Sequence, residues 1–354
     1  MPPPGHVVDR LSPEWGIVRL PDALLLEIFE ELPRNGRLSA LCSCKALHFL
    51  VARTIYTDVR VLGTVARNFF TTITEQTSTS AIYTTFVRRL HFTVQARSDQ
   101  TMALFCRSIL LLKNLDRLGL AVPIWRSATL AESMQDVDIL QGVQIWANRG
   151  RGSDEIVSES GVGRRVHLRP DVHEHDHRRA LSSLRHLSIE GDSLFAVICV
   201  DRVIESIRIT QPMNFYEFGD FCHILQGSNY RHLLTHLDIF LAARMMDACE
   251  CIDELAAVTL ALMSLSIGQT REASLRIFHQ LVERPTQFSA LQVFRINCQN
   301  STQANDLDAE DAHVRGAVTL RLQYPVLRTR LRRIEVHKYI WDLDTFTDKW
   351  RHVK

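Results

Sequence analysis

Neither sign of charge dominates this chain of 354 residues: 41 lysines and arginines stand against 40 aspartates and glutamates, a formal net charge of +1. That balance gives no whole-chain attraction to nucleic acid or to an anionic membrane, so neither is an expected partner. Long hydrophobic runs are missing too. The longest apolar stretches, such as AAVTLALMSLSI from Ala256 to Ile267, fall short of the roughly 20 residues of a membrane helix. The opening MPPPGHVVDRLSPEWG has neither the basic start nor the apolar run of a secretory signal. The expectation is an intracellular protein, cytoplasmic or nuclear, in a reducing compartment.

Catalytic signatures are also lacking. There is no G-x-S-x-G, H-E-x-x-H or P-loop, and GVGRR from Gly161 has neither the third glycine nor the preceding strand of a dinucleotide site. No enzymatic activity and no cofactor are expected. Of the eight cysteines, Cys106, Cys199 and Cys298 lie in apolar runs, where a thiol acts as a small hydrophobe. The pairs Cys42/Cys44 and Cys249/Cys251 are weak metal or disulfide signals. DVHEHDH, from Asp171 to His177, sets histidines alternately along an extended segment, a chelating pattern. It sits, however, in a stretch rich in Gly, Ser, Arg and His, from Ala147 to Arg179, that reads as a long mobile loop. RTRLRR, from Arg328 to Arg333, is offset by the acidic tract from Asp306 to Asp311 and reads as solvated surface.

What the chain has is a dense apolar block near its start and a repeat after it. Pro21 and Asp22 supply a helix start. Behind them Leu24, Leu25, Ile28, Phe29 and Leu32 recur at three- and four-residue spacing, one apolar stripe with Glu27, Glu30 and Glu31 opposite. Pro33, Asn35 and Gly36 then predict a break. A second short helix carries Leu38, Leu41 and Cys42, and a third carries Leu47, Leu50, Val51 and Ile55 before YTDVRV turns extended. Three helices this short bury too little to stand comfortably alone. They either cap the rest of the protein or offer a face to a partner.

LPDALLLEIFEELP, LSALCSCKALHFL and ARTIYTDVRV together resemble the F-box, the motif that docks on a Skp-type adaptor. The matching positions are Leu20, Pro21, Leu24, Leu25, Ile28, Phe29, Leu32, Pro33, Leu38, Leu41, Cys42, Cys44, Lys45, Leu47 and His48. The resemblance implies adaptor contacts by Leu20, Pro21, Leu24, Leu25, Ile28, Phe29, Leu32, Leu38, Leu41 and Leu47.

Beyond this block the pattern L-x-x-L-x-L, other apolar residues allowed, occurs eight times: at Val87, Leu115, Leu184, Ile204, Leu234, Leu262, Leu291 and Leu331. From Ile204 to Leu291 successive starts differ by 30, 28 and 29 residues, a spacing that points to stacked units. The last apolar pair of each hexamer alternates with outward residues as a short strand does, and helix-like stretches lie between hexamers. This is similar to an irregular leucine-rich repeat, in which each strand–helix unit leaves an edge for the next to cover.

The predicted fold is therefore α/β: a short N-terminal three-helix F-box followed by a leucine-rich-repeat arc with parallel strands inside and helices outside. The predicted organisation is a disordered tail over 1–17, the F-box over 18–62, and the repeat domain over 63–354 with a mobile insertion near 147–180. Strand alternation places Arg89, His91, Arg117, His186, Glu190, Ser206, Arg208, His236, Asp238, Phe240, Arg295, Asn297, Arg333, Glu335 and His337 on the concave sheet. As a set they are the candidate target-binding surface. Arg89, Arg117, Arg208 and Arg295 would permit a phosphorylated target. The resemblance implies a substrate-recruiting subunit of a Skp–cullin–F-box ubiquitin ligase, its partners an adaptor, through it a cullin–RING ligase, and an unknown target protein. The alternative is a non-catalytic interaction scaffold with no ubiquitin-ligase role.

Overall fold

The structure is a computed structural model, and it describes residues 20–43, 45–75, 77–94, 99–123, 130, 134, 143–147, 164–168, 181–199, 202–226, 232–242, 247–269, 277–279, 288–298, 315–319, 322, 330–336, 339–347 and 349–353. Three helices come first: α1 (Asp22–Glu31), α2 (Arg34–Ser43) and α3 (Lys45–Tyr56). The backbone of Leu32, ahead of Pro33, is extended, because a proline ring clashes with a helical predecessor. That ends α1. The predicted break is shorter than Asn35 and Gly36 suggested, since both lie in the first turns of α2, where Arg37 N–H already bonds to the Pro33 carbonyl at 3.1 Å.

An eleven-stranded sheet follows, its strands in chain order. The first nine are parallel: β1 (Asp58–Leu62), β2 (Arg89–Thr93), β3 (Arg117–Val122), β6 (His186–Gly191), β7 (Ser206–Met213), β8 (His236–Leu241), β9 (Ser264–Gln269), β10 (Val293–Cys298) and β11 (Arg333–Val336). Every one of the eight hexamers starts a strand at its third residue, and the first, fourth and sixth residues of all eight are buried. The alternation is one-sided because one sheet face packs on helices while the other stays open.

α4 (Gly63–Thr74), α5 (Ser78–Phe86), α6 (Asp99–Ile109), α7 (Phe215–Gln226) and α8 (Asp247–Val258) lie between strands. The core they close is continuous with the sheet. Phe105 of α6 stacks on Phe92 of β2 at 4.7 Å, and Phe70 of α4 meets both rings edge-on. α7 opens with a reciprocal cap: Asn214 Oδ1 accepts from Glu217 N–H at 3.0 Å and Glu217 Oε2 accepts from Asn214 N–H at 2.9 Å. Between β6 and β7, where hexamer starts fall only 20 residues apart, the α-helix is replaced by a 3-10 helix, Ser193–Cys199. That tighter coil spans more length per residue.

Three features depart from the sequence expectation. The sheet begins earlier than Val87: Tyr56, Val59 and Val61 of YTDVRV occupy the same places as a hexamer's apolar residues, and β1 pairs with β2 over its full length. The chain's junction ladder confirms its place. Thr57 C=O accepts from Arg88 and Arg89 N–H, as Arg88 C=O does from Asp116 and Arg117, and so on to Gln292 with Arg332 and Arg333. Second, part of the expected loop is ordered as a strand. β4 (Val143–Ala147) and β5 (Arg164–Leu168) form an antiparallel pair, a two-stranded sheet separate from the main one. Third, β12 (Tyr339–Asp344) and β13 (Lys349–His352) turn back antiparallel and finish the sheet. They cover an edge that β11 would otherwise expose. Residues 1–17, the segment Asp171–His177 and His337 lie outside the described residues.

Candidate functional site

The candidate residues fall on two surfaces. The first is on α1–α3. Leu25, Phe29, Leu47 and Val51 form a small core of their own, with Leu32, Ala40, Leu41, Leu50 and Ile55 packed around it. The stripe read from the sequence is thus two faces. Leu25, Phe29 and Leu47 are buried inside the three helices rather than presented for docking, and Leu32 and Leu41 are half-buried beside them. The outward set is Leu20, Leu24, Ile28 and Leu38, at 38%, 46%, 39% and 42% exposure, with Pro21 also exposed. Phe49, at 46%, joins them and was missed by the sequence reading, because it falls off the Leu47, Leu50, Val51 and Ile55 spacing of α3. Five exposed large apolar side chains on so short a segment exceed the scattered singles of an ordinary surface.

These helices are fixed to the sheet through α3. His48 Nε2 lies 2.6 Å from the Tyr83 hydroxyl of α5, and its Nδ1 lies 3.4 Å from the Leu41 carbonyl. A carbonyl only accepts, so Nδ1 carries the proton and the Tyr83 O–H donates to Nε2. Tyr56 stacks on Tyr83 at 4.6 Å with an 11° interplanar angle and on Phe69 of α4 at 6.4 Å. Burial, then the neighbouring Tyr83, pushes the Tyr56 hydroxyl pKa up.

The second surface is the open face of the sheet. Register sets its residues in rows: one runs Asp58, Arg89, Arg117, His186, Ser206, His236, Ser264, Val293, Arg333 and Asp342, the next Arg60, His91, Gly119, Ser188, Arg208, Asp238, Ser266, Arg295 and Glu335. All the described candidates fall on this face. The arginines, however, are not free to meet an anion. Arg89 pairs with Asp58 at 3.3 Å, Arg117 with Asp116 at 3.5 Å, Arg208 with Asp238 at 3.2 Å and Arg295 with Glu335 at 2.8 Å. Arg333 makes a two-bond fork to Asp342 at 2.6 and 2.8 Å, and its hydrogen bond holds the Asp342 carboxyl below the usual carboxylate range. Four of these five pairs are direct register partners on adjacent strands.

Aromatic rings lie over glycines here. A Cβ on Gly119 would stand 2.4 Å from His91 Nδ1, and one on Gly268 would stand 2.2 Å from the Phe240 ring. Both rings are therefore laid flat along the sheet. Asn297 Nδ2 donates to Ser266 Oγ at 3.4 Å, and His236 Nδ1 lies 2.8 Å from Thr235 Oγ1. Among the described residues no group of three or more histidine, cysteine or acidic side chains is placed to hold a metal ion, and no helix is long and apolar enough to cross a membrane.

No curated protein matches the chain. Residues 17–56 match the family model of the F-box domain, and this match, over the segment that ends with α3, supports an adaptor-binding, ubiquitin-ligase-related role.

Proposed function

We propose that the chain is the substrate-recruiting subunit of a Skp–cullin–F-box ubiquitin ligase, its three helices holding the Skp-type adaptor and the open sheet face holding a target protein, in a leucine-rich-repeat-like array. The observation that carries this reading is the outward set Leu20, Leu24, Ile28, Leu38 and Phe49 on the segment that matches the F-box domain. Burial of such side chains against a partner supplies about 1.5–3 kcal/mol each. The chain forms no bond itself. It raises the effective concentration of the target near the ubiquitin carrier, and the stacked joint at Tyr56 and Tyr83 keeps the two surfaces on one body.

The test is capture of a purified Skp-type adaptor by the full chain and by the Leu24→Arg, Ile28→Arg double variant. Both positions are exposed, so thermal unfolding should stay as in the wild type while capture weakens by about two orders of magnitude or more. A wild-type chain that brings down no adaptor would instead leave an interaction scaffold whose helices cap the sheet.

A further inference from the structure

A cavity of about 420 Å³ opens where β2, β3, β6 and β7 end. Its walls include Thr93, Val94, Val122, Glu190, Thr210 and Pro212. Two local irregularities make the space. The β7–β8 register shifts between Arg208 and Pro212, and a bulge of this kind bends a strand away from its neighbour. On the other side Gly191, at φ +142°, brings β6 so close to β3 that a Cβ there would stand 2.0 Å from the Val122 carbonyl oxygen.

The lining is mostly aliphatic, with two threonines, the amide-bearing Gln211 and a single charge, Glu190. On the same face Asp58, Asp238, Glu335 and Asp342 are each held by an arginine. Among the described residues Glu190 has no ion-pair or hydrogen-bond partner. We propose that this cavity takes a lysine side chain from an extended segment of the target protein, its ammonium on the Glu190 carboxylate and its stem along Ala121, Pro123 and Pro212. An ammonium has three donors to place, and Thr210, on the strand next to Glu190, offers a hydroxyl acceptor. Lysine fits better than arginine because one carboxylate and an aliphatic wall suit a compact point charge, whereas a guanidinium favours a fork of acceptors and an aromatic face.

This proposal rests on the open face being the target-holding face. Labelled peptides Gly-Ser-Ala-X-Ala-Ser-Gly, with X lysine, norleucine or phosphoserine, are titrated into the full chain by fluorescence anisotropy. The lysine peptide should bind saturably and at least about tenfold tighter than the norleucine peptide, as a charged hydrogen bond implies. Glu190→Gln should remove that advantage and leave norleucine binding unchanged. Absence of saturable lysine binding, equal binding of norleucine, tighter binding of phosphoserine, or an unaffected Glu190→Gln would each overturn it. So would a dimer in sedimentation that Glu190→Gln dissolves, since a second copy would then be the occupant. Adaptor capture by the same preparation does not involve Glu190, so its loss alone sinks the ligase reading and its retention without lysine binding sinks only this one.

Discussion

The joint between the three helices and the sheet is the most exacting place to test this structure, because few side chains make it. Tyr83→Phe deletes the hydroxyl 2.6 Å from His48 Nε2 and keeps the ring that stacks on Tyr56 at 4.6 Å. One hydrogen bond between part-buried groups contributes about 1 kcal/mol net, which corresponds to roughly a fivefold rise in the opening constant of the joint. Tyr83→Ala also removes the stack, about 0.5–1.5 kcal/mol beyond the buried area, so its effect should be clearly larger. Because α1–α3 have their own small core, the opening should show as faster hydrogen exchange across α1–α3, with β6–β10 amides unchanged. A cycle with His48→Gln checks the pairing: the double variant should lose less than the two single variants together. Full additivity, or Tyr83→Phe exchange indistinguishable from wild type, would refute the joint as described.

Two further outcomes follow from the sheet. Gly191→Ala places a methyl 2.0 Å from the Val122 carbonyl oxygen at φ +142°, a conformation that costs of order 1–3 kcal/mol in strain before the clash is relieved. It should lower the thermal midpoint, whereas Gly219→Ala, with nothing within 4 Å of the added atom, should not; equal midpoints would contradict the close β3–β6 approach. At the other end, Arg333 holds the Asp342 carboxyl down by its hydrogen bond, and the Phe346 N–H does the same for Asp344. Folded pKa values below the unfolded ones stabilise above about pH 4 and lose that contribution as pH falls through the folded values. Hydrogen exchange in β12–β13 should therefore rise on acidification before that of β6–β9, and Asp342→Asn should flatten part of the rise; an identical acid profile in the variant would be the contrary result.

How much of this was legible in the sequence depends on the period of each element. A strand alternates with period two, so the apolar residues of LRHLSI and its seven companions left one arrangement in which Leu184, Leu187 and Ile189 all face in. Each of the eight hexamers therefore marks a strand, although the strands end at different distances beyond them. A helix turns only 100° per residue, so Leu24 and Leu25 fall within one broad stripe although one is exposed and the other buried. Nothing in that spacing says which half of the stripe belongs to the helices' own core. YTDVRV reads as extended in the sequence but not as part of the sheet, because Tyr56 is at once the last residue of α3 and the first apolar residue of the opening strand unit.

The arginines show the same limit from the opposite direction. In a parallel array a residue's neighbours across the sheet are those one repeat away, such as Arg208 and Asp238 or Arg295 and Glu335, not those adjacent in the chain. Arg89 and Arg117 are neighbours in one row and each turns to an aspartate, Asp58 and Asp116, while Arg208–Asp238 and Arg295–Glu335 pair along the next row. Each exposed pair adds little to stability, but an incoming phosphate would have to displace a carboxylate already in place at 2.8–3.3 Å. Counting arginines on the open face therefore overstates its appetite for anions. The charged groups that register leaves unmatched are the ones with binding energy to give, and among the described residues Glu190 is one that also lines a cavity.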